Sequence, residues 1–237
     1  MSPQERLIVA LDLPTRADAD ALADALDVDV KWFKIGLELY SSEGPGLVRD
    51  YTAAGRRVFV DLKLHDIPAT VERATKRLAG LGASLLTIHA AGGRAMMEAA
   101  VAGASAGAAG QGGERLRILA VTVLTSLEQS DLAGVGIQAP ISELVVKRAK
   151  LAAEAGCDGV VASPHEAAAL RAALPEDFLI VTPGVRPAGA ALGDQKRVMT
   201  PAMARRAGAD MIVVGRPIRD AQSPNAAAKR ILEDLEL

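Results

Sequence analysis

Apolar residues recur along the chain in short runs, each followed by a stretch with helical spacing. The first, Leu7-Ile8-Val9-Ala10-Leu11-Asp12-Leu13, ends in an acid. It lacks strict alternation, which suits a strand buried on both faces, as in a parallel sheet. Pro14 to Asp18 then opens a helix, with Thr15 and Asp18 at capping-box spacing. Runs at 30–36, 58–64, 84–90, 116–124, 159–163, 178–184 and 211–216 read as further strands. Between and after them, 46–54, 71–81, 94–102, 142–155, 164–173, 201–207 and 225–235 read as helices. The Gly- and Ala-rich segment 103–113 reads as a loop, although its alanines could extend the helix before it.

Three strands are entered by one phrase: Leu81-Gly82-Ala83-Ser84, Ala155-Gly156-Cys157-Asp158 and Ala207-Gly208-Ala209-Asp210. Glycine just past a helix end supplies the left-handed cap that returns the chain to the sheet. Strand–helix units of about 30 residues are the size of a βαβ step. Eight such right-handed crossovers close into an α/β (β/α)8 TIM barrel. An open doubly wound sheet is the alternative, weakened because no Gly-x-Gly-x-x-Gly turn follows the first strand. No linker or shift of composition divides the chain, so residues 1–237 are expected to form a single domain.

The net charge of −2, with both signs spread along the chain, argues against nucleic-acid or membrane-surface partners. No apolar run approaches the ~18 residues of a membrane span. Residues 1–6 lack the basic-then-apolar layout of a signal peptide. Cys157 is the only cysteine, so no intrachain disulfide can form. A cytoplasmic protein is the simplest fit.

Candidate chemistry concentrates in Val58-Phe59-Val60-Asp61-Leu62-Lys63-Leu64-His65-Asp66-Ile67-Pro68-Ala69-Thr70. Residues two apart on a strand share a face, so Asp61 and Lys63 point the same way at its C-terminal end. Asp66 falls beyond the strand. A surface ion pair is the plain alternative and would be worth little. Barrel active sites, however, lie at the C-terminal strand ends. Asp12, Lys34, Asp61, Lys63, His89, Thr122 or Thr125, Ser163 and Arg216 all fall there, whereas Arg6, Asp29, Arg57 and Asp210 at the opposite ends look like solvated starts. In a barrel, Lys34, Asp61 and Lys63 converge, and alternating signs keep each of them charged. A lysine so held can act as a general acid or bind an anion.

A phosphate site is expected after strands seven and eight. Gly215-Arg216-Pro217-Ile218 supplies a close-approach glycine and a guanidinium. The loop 185–197 is long enough to be a lid, with Arg186, Gln195 and Arg197 as candidate ligands. His65, His89 and His165 show no metal-ligand spacing and read as structural. Mg²⁺ on Asp12, Asp61 and Asp66 is possible by residue type, but Lys34 and Lys63 would face it. Cys157, at a strand entrance, is expected to be inert.

These residues resemble a family. Asp61-Leu62-Lys63-Leu64-His65-Asp66-Ile67-Pro68 looks like the signature of orotidine 5′-monophosphate decarboxylases, in their bacterial-like form. The likeness extends through Ala10-Leu11-Asp12, Phe33-Lys34-Ile35-Gly36, Thr87-Ile88-His89-Ala90, Val123-Leu124-Thr125-Ser126, Thr182 to Pro187, Gly193 to Arg197 and Val214 to Ile218. Ala69 and Leu64 depart from residues common in the family, Asn and Phe, at positions without catalytic charge. The resemblance implies conversion of orotidine 5′-monophosphate to uridine 5′-monophosphate and carbon dioxide, the last step of pyrimidine nucleotide (UMP) synthesis, without cofactor or metal. It implies a charged array of Lys34, Asp61, Lys63 and Asp66, with Lys63 protonating carbon 6. It assigns Asp12 and Lys34 to the ribose, Thr125 to the base edge, and Gln195, Gly215 and Arg216 to the phosphate. Pro183 and Arg186 are implied on the substrate side of the closing loop. It also implies a homodimer in which Asp66 and Thr70 enter the neighbouring site. Related Mg²⁺-dependent barrel enzymes, keto-sugar phosphate decarboxylases or hexulose phosphate synthases, share the core motif and are the alternative. A silent phosphate-ligand binder is a third.

Overall fold

A computed structural model describes residues 1–26, 29–108, 115–187 and 199–236. Eight parallel strands close into a barrel in sequence order. They are β1 (Leu7–Ala10), β2 (Trp32–Gly36), β3 (Arg57–Leu64), β4 (Leu85–His89), β5 (Arg117–Val121), β6 (Gly159–Val161), β7 (Leu179–Pro183) and β8 (Met211–Val214). β1 pairs with both β2 and β8, which closes the ring and rules out the open sheet. Among the described residues no helix is long and apolar enough to cross a membrane.

The strands are apolar on both faces because each face has a core to fill. Ile8, Ala10, Trp32, Phe59, Leu85, Leu119, Val181 and Met211 pack inside the barrel. Their neighbours Leu7, Val9, Phe33, Val58, Leu86 and Ile180 pack outward under the helices. Trp32 and Phe33 are both core, on opposite sides of one strand. At the N-terminal end the Arg57 and Arg117 guanidiniums lie over the Trp32 ring, 5.2 and 5.7 Å from its centroid. This end is more than a row of solvated starts. Asp158 and Asp210, from the repeated phrase, accept hydrogen bonds from the Ile118 and Ile180 amides at 2.7 and 2.8 Å. Gly82, Gly156 and Gly208 in that phrase all have positive φ, as a left-handed cap requires.

Two helices differ from the sequence reading for identifiable reasons. One begins at Pro68, not Val71, because proline fits the first helical position without losing a bond. The other runs Arg94–Ala108, through the glycines read as a loop. A Cβ on Gly103 would stand 2.3 Å from the Glu72 carbonyl oxygen, and one on Gly107 2.4 Å from Ala79 Cβ. Four residues apart on one face, these glycines let the helix press against Pro68–Ala79. Short helices at Pro3–Arg6, Leu37–Glu43, Gln129–Gly134 and Arg216–Arg219 also lie outside the sequence reading.

Candidate active site

The C-terminal strand ends open into a cavity of roughly 330 Å³. Asp12, Lys34, Asp61, Lys63, Thr125, Pro183, Arg186, Gly215 and Arg216 line it, so nine of the expected residues meet in one place. Gln195 and Arg197 lie outside the described residues. Asp66 and Thr70 do not line this cavity: Asp66 is exposed, its carboxylate accepting the Ile67 amide at 2.6 Å, and Thr70 sits in the first turn of Pro68–Ala79. Arg186 is buried, and its backbone N–H donates to Met199 O at 3.0 Å.

Charges alternate across the mouth. Lys34 Nζ donates to Asp12 Oδ1 at 2.8 Å and lies 3.4 Å from Asp61 Oδ2. Lys63 Nζ donates to Asp61 Oδ1 at 2.8 Å. Burial alone would raise the Asp61 carboxyl, but the Lys34 and Lys63 ammoniums outweigh it and hold it below the usual carboxylate range. Burial alone would lower Lys34, but Asp61 and Asp12 outweigh it and hold the ammonium above its ordinary value. Gly36 makes room for this: a Cβ there would stand 2.9 Å from Asp12 Oδ1 and 3.0 Å from Lys34 Nζ.

Asp61 and Lys63 meet through a distorted strand. Val60 pairs with Leu86 and Leu64 with Ile88, so β3 spends four steps where β4 spends two. The resulting bulge leaves Lys63 at φ 50°, the only non-glycine positive φ among the described residues. That conformation costs about 1–3 kcal/mol and persists only where its surroundings enforce it. Thr87, fully buried on β4, accepts the Lys63 amide at 2.9 Å and donates to Asp61 Oδ1 at 2.8 Å.

Two groups beside the cavity were given no role in the sequence reading. Thr87 is one, although it lies within one of the stretches that carry the family likeness. Arg219 is the other: it lines the cavity, donates to the Asp12 carbonyl at 2.6 Å and pairs with Asp220, tying the β8 loop to the β1 loop. The His65 and His89 rings lie tilted at 39° with centroids 5.4 Å apart, and burial, then His65 and Lys63, lowers the His89 pKa. Cys157 is buried at the far end, its thiol pushed up to about 12 by desolvation. A cation bridging Asp12 and Asp61 would meet the Lys34 ammonium already between them, and Asp66 lies away from both. Among the described residues no three His, Cys, Asp or Glu side chains converge.

A closed parallel barrel carrying an alternating charge array and arginines at its C-terminal mouth defines a barrel enzyme for a small anionic substrate. Residues 5–231 match the model of the orotidine 5′-phosphate decarboxylase / HUMPS family, and the chain belongs to that family. A protein of Anaeromyxobacter sp. named orotidine 5′-phosphate decarboxylase is 55% identical over 99% of this chain and 100% of its own length. One of the same name from Moorella thermoacetica is 50% identical over 100% of this chain and 94% of its own. The crystal structure of orotidine 5′-phosphate decarboxylase from Lactobacillus acidophilus superposes with a TM-score of 0.89 at 38% identity, covering 98% of this chain and 100% of that one. The chain is thus an enzyme of a carboxy-lyase family.

Proposed function

We propose that this enzyme decarboxylates orotidine 5′-monophosphate to uridine 5′-monophosphate in pyrimidine nucleotide synthesis, with Lys63 as general acid. The observation that carries the proposal is the Asp61 carboxylate held between two ammonium groups at the cavity mouth. The names of its relatives favour this branch of the family over the sugar-phosphate branch.

In the proposed reaction the C6–carboxylate bond breaks, and its electron pair stays on C6 as carbon dioxide leaves. The Lys63 ammonium stabilises that developing carbanion, an interaction stronger in the transition state than in the ground state. It then delivers a proton to C6 and is reprotonated from solvent. Asp61 faces the substrate carboxylate and orients Lys63 through their 2.8 Å contact. Asp12 and Lys34 take the ribose hydroxyls, and Thr125 with Pro183 the base. Arg186, Gln195, Gly215 and Arg216 take the phosphate, whose distant binding energy helps align the pyrimidine. The chain acts as a single domain, in the cytoplasm. It pairs into a homodimer in which Asp66 and Thr70 complete the neighbour's site, a reading supported by the exposure of Asp66 and Ile67 outside their own cavity.

The test is turnover of orotidine 5′-monophosphate by purified protein, followed by loss of orotate absorbance, with and without a chelator. Turnover indifferent to chelator is expected. Folded protein without turnover refutes the proposal, and activity restored only by Mg²⁺ favours the sugar-phosphate branch.

A further inference from the structure

We infer that Thr87 is a positioning residue: its hydroxyl locks the bulge at the end of β3 so that the Asp61 carboxylate and the Lys63 ammonium meet at the cavity. The inference rests on the function proposed above and names a group that this function does not include.

Thr87 lies two residues beyond Leu85, so its side chain also points into the barrel. It is fully buried, and its hydroxyl uses both of its capacities. It accepts from the Lys63 backbone N–H at 2.9 Å and donates to Asp61 Oδ1 at 2.8 Å. Asp61 Oδ1 also accepts from Lys63 Nζ. The contacts close a ring that starts at the backbone of Lys63 and ends at its side chain. Around this ring the ordinary ladder has failed: β3 is out of step with β4 between Val60 and Leu64. The Lys63 N–H therefore needs a partner other than the ladder carbonyl a regular strand would use, and the Thr87 hydroxyl is that partner. The same bond anchors Lys63 where φ reaches 50°. One hydroxyl thus holds the backbone of the proposed acid and the carboxylate that aims it.

A space-filling role and a positioning role rank substitutions in opposite orders. Thr87→Val keeps the shape and removes both hydrogen bonds. Thr87→Ser keeps both bonds and loses a methyl. The full-length chain is used throughout. Thr87→Val is expected to lower kcat by about 10- to 100-fold, the worth of a hydrogen bond to a charged group. KM is expected to stay within about threefold, because ribose and phosphate are held elsewhere. Thr87→Ser is expected to remain near wild type. The acid limb of the kcat/KM profile is expected to move toward neutral in Thr87→Val only, since the Asp61 carboxylate loses a donor. If Thr87→Val does not fold, Thr87→Cys, with its weak donor, is expected to show the same direction at smaller amplitude.

Hydrogen exchange at the Lys63 amide gives a reading that needs no turnover. Protection is expected in wild type and Thr87→Ser, with exchange at least about tenfold faster in Thr87→Val or Thr87→Cys. Valine or cysteine variants with wild-type kcat, acid limb and Lys63 protection would overturn the inference, as would a serine variant more damaged than valine. Wild-type protein without turnover refutes the proposed function instead, and the exchange rates then decide the role of Thr87.

Discussion

Replacing Lys63 separates the chemistry of its ammonium from the strain of its backbone. Its side chain is 31% exposed, and its contact with Asp61 is a partly solvated ion pair. Such a pair is worth about 1 kcal/mol or less. Asp61 keeps Lys34 at 3.4 Å and the Thr87 hydroxyl, so Lys63→Ala leaves no buried charge alone. The fold therefore survives. Alanine still carries a Cβ at φ 50°, at a cost of about 1–2 kcal/mol. Lys63→Gly removes that cost and adds about 0.5–1 kcal/mol of chain entropy. Glycine should then be the more stable variant by about 0.5–1 kcal/mol, the reverse of the usual order. For a chain of this size that is about 1–4 °C in Tm.

Both variants lose the proposed acid. General acid catalysis contributes about 10²- to 10⁴-fold, and stabilisation of the carbanion about 10²- to 10³-fold. The two act through one ammonium, so a loss of at least about 10³-fold in kcat is expected rather than their product. Orotate absorbance under saturating substrate measures the rate, and thermal melts measure stability. Activity of folded Lys63→Ala within about tenfold of wild type would remove the acid from Lys63. An alanine variant more stable than glycine would refute the strain.

Two further predictions follow from the array. Gly36→Ala puts a Cβ into the Asp12–Lys34 contact. It should cost about 1–3 kcal/mol and raise KM, read by denaturation and steady-state kinetics; unchanged values would show that the pair has room to move. The pH dependence of stability should be set on the two sides by different partners. The Asp61 pKa is depressed on folding, so its contribution is present above the unfolded value near 3.8 and fades as pH falls through the folded one. The Lys34 pKa is raised, so its contribution is present below 10.5 and fades as pH rises through the folded value. Asp61→Asn should flatten the acid branch and Lys34→Met the alkaline branch in denaturation series; parallel curves for variant and wild type would refute the assignment.

Local pattern carried the fold well. The unbroken apolar run of β1 signals two buried faces, and the recurring helix–glycine phrase signals the turn back to the sheet. It carried less where a residue answers to a distant partner. Gly103 and Gly107 read as loop because their sequence context does not reveal the helix they press against. Arg219 reaches Asp12 across 207 positions, with no local mark. Asp210 looks like a solvated strand start until the Ile180 amide of the neighbouring strand is seen bonded to its carboxylate. Alternation correctly brought Asp61 and Lys63 together, but β3 is not a regular strand there. Their contact depends on a bulge and a left-handed lysine that period-two reasoning does not contain.

The order of charges explains why the site must be read as one unit. Asp12, Lys34, Asp61 and Lys63 alternate in sign, and exposure decreases from the rims inward: Asp12 and Lys63 are 47% and 31% exposed, Lys34 and Asp61 9% and 13%. The two inner charges are costly to bury, and each is offset by a neighbour on both sides. Loss of an inner member therefore does two things. It removes an attraction and it brings like charges into adjacency, Lys34 beside Lys63 or Asp12 beside Asp61. Loss of an outer member does only the first. Single-site effects within the array cannot add. The barrel interior beneath them and Thr87 is apolar, from Ala10 and Phe59 down to Trp32 under its two arginines, and offers these four groups no polar partner, so each inner charge depends on its neighbours in the array.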